Sequence, residues 1–150
     1  MSKLKKIAIA SDHAGFALKE ILNAHLAQHF DLIDLGTDST APVDYPDFAE
    51  ALALSVVSGQ ATRGILLCGS GVGASIAANK IKGIRAAVCH DTYSAHQGVE
   101  HDDMNVLVLG ARIVGDALAK DLVDQFLSAT FSNEARHVKR LKKIEALEAK

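Results

Sequence analysis

Residues 64–80, GILLCGSGVGASIAANK, set one cysteine between an apolar run and three glycines spaced two apart. Cys68 stands where a strand hands over to a helix, and Gly69, Ser70, Gly71, Val72 and Gly73 make the turn. Glycines in such a turn let backbone N–H groups approach a ligand without a Cβ in the way, and the following helix points its positive end at the same place. That field favours anions, a thiolate among them. A buried cysteine is ordinarily a small core residue, but a thiol beside an anion-binding loop is placed to move protons. Cys89, in RAAVCHD, has no glycine loop beside it and is assigned no chemistry.

Nucleotide binding is the natural competitor for a glycine loop, and it fits badly. A dinucleotide fingerprint would follow the first strand, where residues 11–15 read SDHAG, and neither GxxxxGKS nor GxxxxGKT occurs. His90, His96, His101, Asp102 and Asp103 are of metal-ligating types, yet their spacing matches none of the compact zinc patterns. A non-catalytic phosphate-ligand sensor on the same fold would share the loop and have no need of the thiol.

The elements that must hold this loop alternate. Short apolar, β-branched runs at residues 7–10, 32–35, 65–67, 86–88 and 106–109 predict buried strands. Between them Leu18, Ile21, Leu22 and Leu26 recur at helical spacing, as do Ala49, Leu52, Ala53, Val56 and Val57, then Leu118, Leu122, Val123 and Phe126. Strands too apolar to have one wet face imply a five-stranded parallel sheet with helices on both sides, an α/β Rossmann-like three-layer sandwich. Ligands of such sheets sit beyond the carboxyl ends of the strands, which is where Cys68 falls. Residues 36–46 carry both prolines and form the one long loop.

After Phe131, Ser132 or Asn133 is expected to cap a C-terminal helix whose apolar residues Ala135, Val138, Leu141, Ile144 and Leu147 come every third position. They wind around the helix, which predicts contact with more than one surface, a second subunit being one candidate. The 150 residues, 49% apolar, suit one domain spanning 1–150. A formal charge of −2 gives no reason to expect nucleic acid or a membrane surface as partner. Four apolar residues in a row near the N-terminus are too few for a signal peptide, and two cysteines without a pairing framework read as free thiols, so a cytoplasmic location is expected.

SDHAG at 11–15, DYPDFA at 44–49, LCGSGVGASIAANK at 67–80, IRAAVCHD at 84–91 and EHDDMNVLVLGAR at 100–112 together resemble the RpiB/LacAB family of sugar-phosphate isomerases, nearly end to end. The resemblance implies a metal-free, cofactor-free aldose–ketose interconversion through a cis-enediolate, with ring opening first. It implies ribose 5-phosphate and ribulose 5-phosphate as the foremost pair. Cys68 matches the proton-shuttling base, Ser70 an assisting hydroxyl where many relatives have Thr, and the amides of Gly69, Gly71, Val72 and Gly73 the anion hole. One branch of the family has a glutamate base at the position of Ala74, so this chain resembles the thiol branch. His101 matches the ring-opening histidine. Asp12, His13 and Tyr45 match substrate contacts, and Arg112, Arg136 and Arg140 match positions near the phosphate. His101, Asp102 and Arg112 would arrive from the neighbouring subunit, which implies a homodimer or a larger assembly with shared sites. Asp102 departs from the Asn common in the family, replacing a donor amide with a carboxylate, and so keeps a tetrose 4-phosphate or hexose 6-phosphate in play.

Overall fold

The five apolar runs are strands β1 (Lys6–Ser11), β2 (Asp31–Asp34), β3 (Arg63–Cys68), β4 (Ala86–Val88) and β5 (Val106–Gly110) in a computed structural model that describes residues 4–150. They form one sheet in the order β2-β1-β3-β5-β4, and every neighbouring pair is parallel. The helices are α1 (Phe16–Leu26), α2 (Tyr45–Val57), α3 (Val72–Ala78), α4 (Thr92–Asp102), α5 (Asp116–Ser128) and α6 (Ala135–Glu148).

Alternation along the strands builds two cores. Ile7, Ile9, Ile65, Leu67, Leu107 and Leu109 face one way, onto α1, α4 and α5 through Leu18, Leu22, Val99, Leu122 and Phe126. Ala8, Ala10, Leu66, Cys68, Val106 and Val108 face the other way, onto α2 and α3 through Ala49, Leu52, Ala53, Ala74 and Ala78. Small residues dominate this second face, so its helices pack close: a Cβ on Gly64 would lie 2.6 Å from Leu52 Cδ2. Each leucine buried in these layers contributes about 1.5–3 kcal/mol relative to exposure.

Strand order decides where a ligand can sit. From β1 the chain moves outward to β2, returns to β3 on the other side of β1, and continues in the opposite direction. The carboxyl ends of β1 and β3 therefore flank the topological switch point, the crevice where open α/β sheets bind ligands. β5 lies directly beside β3, with Ala111 N–H donating to the Cys68 carbonyl at 2.8 Å and Arg112 N–H to the Gly69 carbonyl at 3.0 Å.

The start of α6 corrects the expected cap. Glu134 is the N-cap, without a side-chain cap bond, and Asn133 lies just before it at φ 58° in the left-handed region. The Ser132 hydroxyl does accept from Glu134 N–H at 3.2 Å, but it also lies 2.6 Å from His137 Nδ1, so it braces a side chain instead of ending the helix. On α6 only His137 is fully buried, while Ile144 is 40% and Leu147 65% exposed. The helix touches α4 of its own chain, half-buries Val138 and Leu141, and leaves Ala135, Ile144 and Leu147 exposed.

Candidate active site

Cys68 ends β3 with its side chain in the α2–α3 core, and the chain then turns sharply. Gly71 makes the turn at φ 84°, a conformation that glycine adopts without a Cβ penalty, and caps α3. Its N–H donates to Cys68 Sγ at 3.2 Å, a bond that a thiolate accepts more strongly than a thiol does. Val72 N–H donates to Ser70 Oγ at 3.2 Å, which holds the hydroxyl at the mouth of the loop. Ala74 is fully buried, and between residues 68 and 74 only the Cys68 thiol and the Ser70 hydroxyl carry an exchangeable side-chain proton.

The other residues of this group come from three neighbouring segments. Asp12 follows β1, and its Oδ1 accepts from Ala14 N–H at 3.0 Å and Gly15 N–H at 3.1 Å, securing the entry to α1. His13 Nδ1 accepts from Val43 N–H at 3.1 Å, tying the β1 turn to the loop before α2. Tyr45, the first residue of α2, lies on Gly73 so closely that a Cβ there would sit 2.8 Å from the phenol oxygen. The Arg112 guanidinium covers Gly69, with Nη1 3.3 Å from where a Cβ would be. Arg112 thus belongs to the Cys68 side of its own chain, a correction to the expectation that a neighbouring subunit supplies it. The reason is the β3–β5 pairing, which sets the residue after Gly110–Ala111 against the glycine loop.

A second group lies at the far end of the sheet. α4 begins at the carboxyl end of β4 and runs back for 11 residues, about 16 Å, so His101 and Asp102 emerge near the amino ends of the strands. There His101 stacks on His137 of α6, ring centroids 4.1 Å apart at 26°. Gln97 Nε2 lies 2.9 Å from His101 Nδ1. Arg136 and Arg140 flank His137 on α6, and Arg136 pairs with Glu134. Burial holds the His137 imidazole below its ordinary pKa, helped by His101, Arg136 and Arg140 and opposed by Glu134. Asp102 is exposed and lines a groove of about 460 Å³ along the outer edge of β4, with Arg85, Val88, Met104 and Ile144.

Cys89 also lines that groove, and its thiol is pushed up to about 11 by burial first and by Asp91 second. Among the described residues no group of three or more His, Cys, Asp or Glu side chains is arranged to hold a metal ion, and no helix is long and apolar enough to cross a membrane. His90, His96, His101 and Asp103 serve local contacts: His96 pairs with Glu100, Asp103 with Arg85, His101 stacks on His137, and His90 Nε2 accepts from Gly110 N–H at 2.9 Å. The last contact escaped the sequence reading, which weighed His90 only as a ligand type. It holds Gly110 where its Cα backs the Ser70 carbonyl, with 2.6 Å left for a Cβ.

The sequence model for the family described as Ribose/Galactose Isomerase matches residues 7–144. The chain is 49% identical over 146 residues to ribose-5-phosphate isomerase B of Escherichia coli strain K12, covering 97% of each chain. Its fold is similar to that of Clostridium thermocellum ribose-5-phosphate isomerase B, with a TM-score of 0.92 and 49% identity over 96% of this chain and 97% of that one. It is similar also to ribose-5-phosphate isomerase B from Mycoplasma genitalium with bound ribulose-5-phosphate, with a TM-score of 0.91 and 41% identity over 99% of both. With motifs, sheet order and end-to-end identity in agreement, the chain belongs to the ribose/galactose isomerase family.

Proposed function

We propose that this protein interconverts ribose 5-phosphate and ribulose 5-phosphate without metal or cofactor, using Cys68 as the base, in a cytoplasmic homodimer whose sites are shared between chains. The observation that carries the chemistry is a thiol held against an N–H-lined loop at the switch point, with Arg112 and Tyr45 closing over the same loop. The five-carbon substrate is supported by the E. coli relative and by the ribulose-5-phosphate bound in the M. genitalium structure.

In the open sugar, the Cys68 thiolate removes the proton on C2, and the electron pair moves to a C1=C2 double bond with the negative charge on O1. The amides of Gly69, Gly71, Val72 and Gly73 take up that charge as it forms, so they stabilise the enediolate more than the aldehyde. Ser70 passes the O2 proton to O1, the thiol returns its proton to C1, and O2 becomes the ketone oxygen. The buried Ala74 leaves no carboxylate to compete for the role of base. Asp12 and His13 orient the sugar. Arg136 and Arg140 bind the phosphate, and His101 moves the proton that opens the furanose ring.

One chain does not bring these groups together. Cys68, Ser70, Asp12, His13, Tyr45 and Arg112 gather at one end of the sheet, and His101, Asp102, Arg136 and Arg140 at the other. A two-fold partner sets the second group of one chain against the first group of the other, and the uncovered apolar residues of α6 supply contact surface. Initial rates on four-, five- and six-carbon aldose phosphates test the assignment. Highest kcat/KM on ribose 5-phosphate is expected; a higher value on the tetrose or hexose phosphate would reassign the substrate, with Asp102 as the first residue to revert to Asn. Turnover of none would leave a phosphosugar-binding protein.

A further inference from the structure

His101 is held from two sides, and neither holder has a part in the chemistry above. Gln97, one helical turn earlier on α4, places its amide nitrogen 2.9 Å from Nδ1. His137 lies flat against the ring from α6 and is itself fixed, because Ser132 Oγ is 2.6 Å from its Nδ1 and Ser132 N–H donates to the Glu100 carbonyl at 3.0 Å. Stacking sets the plane of the His101 ring, and the Gln97 contact sets its rotation within that plane. Nδ1 is thereby turned to the helix and Nε2 to the outside.

We infer that Gln97 is a positioning residue for His101, orienting Nε2 toward the sugar and matching both protonation states of the ring by turning its amide. The inference rests on the reading of His101 as the ring-opening group. With the amide nitrogen facing Nδ1, the neutral ring carries its proton on Nε2. When the ring takes a second proton, on Nδ1, a half-turn of the amide lets Oε1 accept from the new N–H. The charged ring gives its Nε2 proton to the furanose oxygen as the bond from that oxygen to C1 breaks. Nε2, now an acceptor, takes the proton of the anomeric hydroxyl as the C1 carbonyl forms. The sugar loses one proton and gains one, and the ring returns to its charged state. Nδ1 keeps its proton through both transfers, so Oε1 accepts from it in both halves of the cycle, and a side chain able only to donate would oppose the charged ring.

The titratable groups facing His101 are Tyr93, His96 and Glu100 of α4, the last two paired at 2.9 Å, and His137, Arg136, Arg140 and Glu134 around α6; α5 presents the neutral Gln125. The hydrogen-bond partner of the Gln97 amide is His101, so a change there is read at His101. Gln97→Leu is expected to lower kcat on ribose 5-phosphate roughly 10- to 100-fold, part of a general acid–base contribution, with KM within about threefold and the rate on erythrose 4-phosphate, which forms no furanose, unchanged. Gln97→Glu keeps an acceptor on Nδ1, so it should recover part of the loss and move the histidine limb of the kcat/KM profile up by about one pH unit. Nitrogen-15 NMR of the imidazoles gives a readout independent of turnover: in the unliganded wild type His101 should be protonated on Nε2 at pH 8, and in Gln97→Leu as a mixture of tautomers. Equal losses on both sugars, an unmoved limb in Gln97→Glu, or a wild-type ring protonated on Nδ1 alone would each overturn the assignment. His101→Asn, run alongside, separates the two ideas. A selective loss there with none in Gln97→Leu defeats only the role of Gln97, whereas a non-selective loss in His101→Asn defeats the ring-opening reading and this inference with it.

Discussion

Cys68 and Cys89 are buried to the same degree, 5% exposed each, and their surroundings separate them. One sulfur receives the Gly71 N–H; the other faces the Met104 sulfur at 4.0 Å and is pushed up to about 11. Cys68→Ala should lose turnover by roughly 10²- to 10⁴-fold, the range of a removed acid–base group, while binding ribulose 5-phosphate nearly as wild type does, because the loop amides remain. Cys89→Ala should change neither. Rates and calorimetric affinities for both variants check this, and wild-type-like turnover in Cys68→Ala would remove the thiol from the reaction. Arg136 pairs with Glu134 at an exposed site, 61% and 51% accessible, where an ion pair contributes about 0–1 kcal/mol. Arg136→Ala should therefore leave the melting temperature unchanged. Both Arg136→Ala and Arg140→Ala should weaken phosphate binding by about 1.5–3 kcal/mol, the scale of charge-assisted hydrogen bonds. Titration with inorganic phosphate decides it. The thiol was legible from sequence because its loop is contiguous. Gln97 and His137 were not, because their bearing on His101 depends on one helical turn of α4 and on its packing against α6.

At the scale of elements, the glycine turn is where backbone and function meet. Gly71→Ala forces a side chain into a left-handed conformation, at about 1–2 kcal/mol, and brings a Cβ within 3.2 Å of the Leu109 carbonyl carbon. Melting should fall by about 2–4 °C for each kcal/mol lost, and the anion hole should fail with it. The α4–α6 contact makes a separate, pH-dependent contribution. Burial first, then neighbouring positive charge, lowers the pKa of His137, so between its folded value and the ordinary value near 6.5 the unfolded chain binds more protons. Its contribution is fully present above about pH 6.5 and is lost as the pH falls through the folded value. The melting temperature should drop between pH 7.5 and 5.5, and His137→Gln should flatten that drop; an identical drop in the variant would contradict it. Strands were legible because an apolar run such as ILL at 65–67 has little else to be in a doubly covered sheet. α4 was not, since TYSAHQGVEHD buries only Ala95 and Val99 and shows no apolar stripe, and the α6 cap was misread because Ser132 turns toward His137.

For the whole molecule, one sheet carries two groups of candidate site residues at its opposite ends. The thiol, its loop and Arg112 lie beyond the carboxyl ends of β3 and β5, and His101 with the two α6 arginines lies a helix length away. In the proposed dimer, the three-residue recurrence of apolar residues in α6 would let the helix meet a second chain as well as its own. Where Arg112 sits was not readable, because it depends on β5 being inserted between β3 and β4. The direct test mixes two variants, Cys68→Ala and His101→Asn, each inactive on ribose 5-phosphate, and lets the subunits exchange. Random pairing makes about half of the dimers mixed, and each mixed dimer holds one intact site of two, so recovery of about one quarter of wild-type activity is predicted. No recovery after mass spectrometry has verified the exchange would contradict the shared site and return Cys68 and His101 to a single chain.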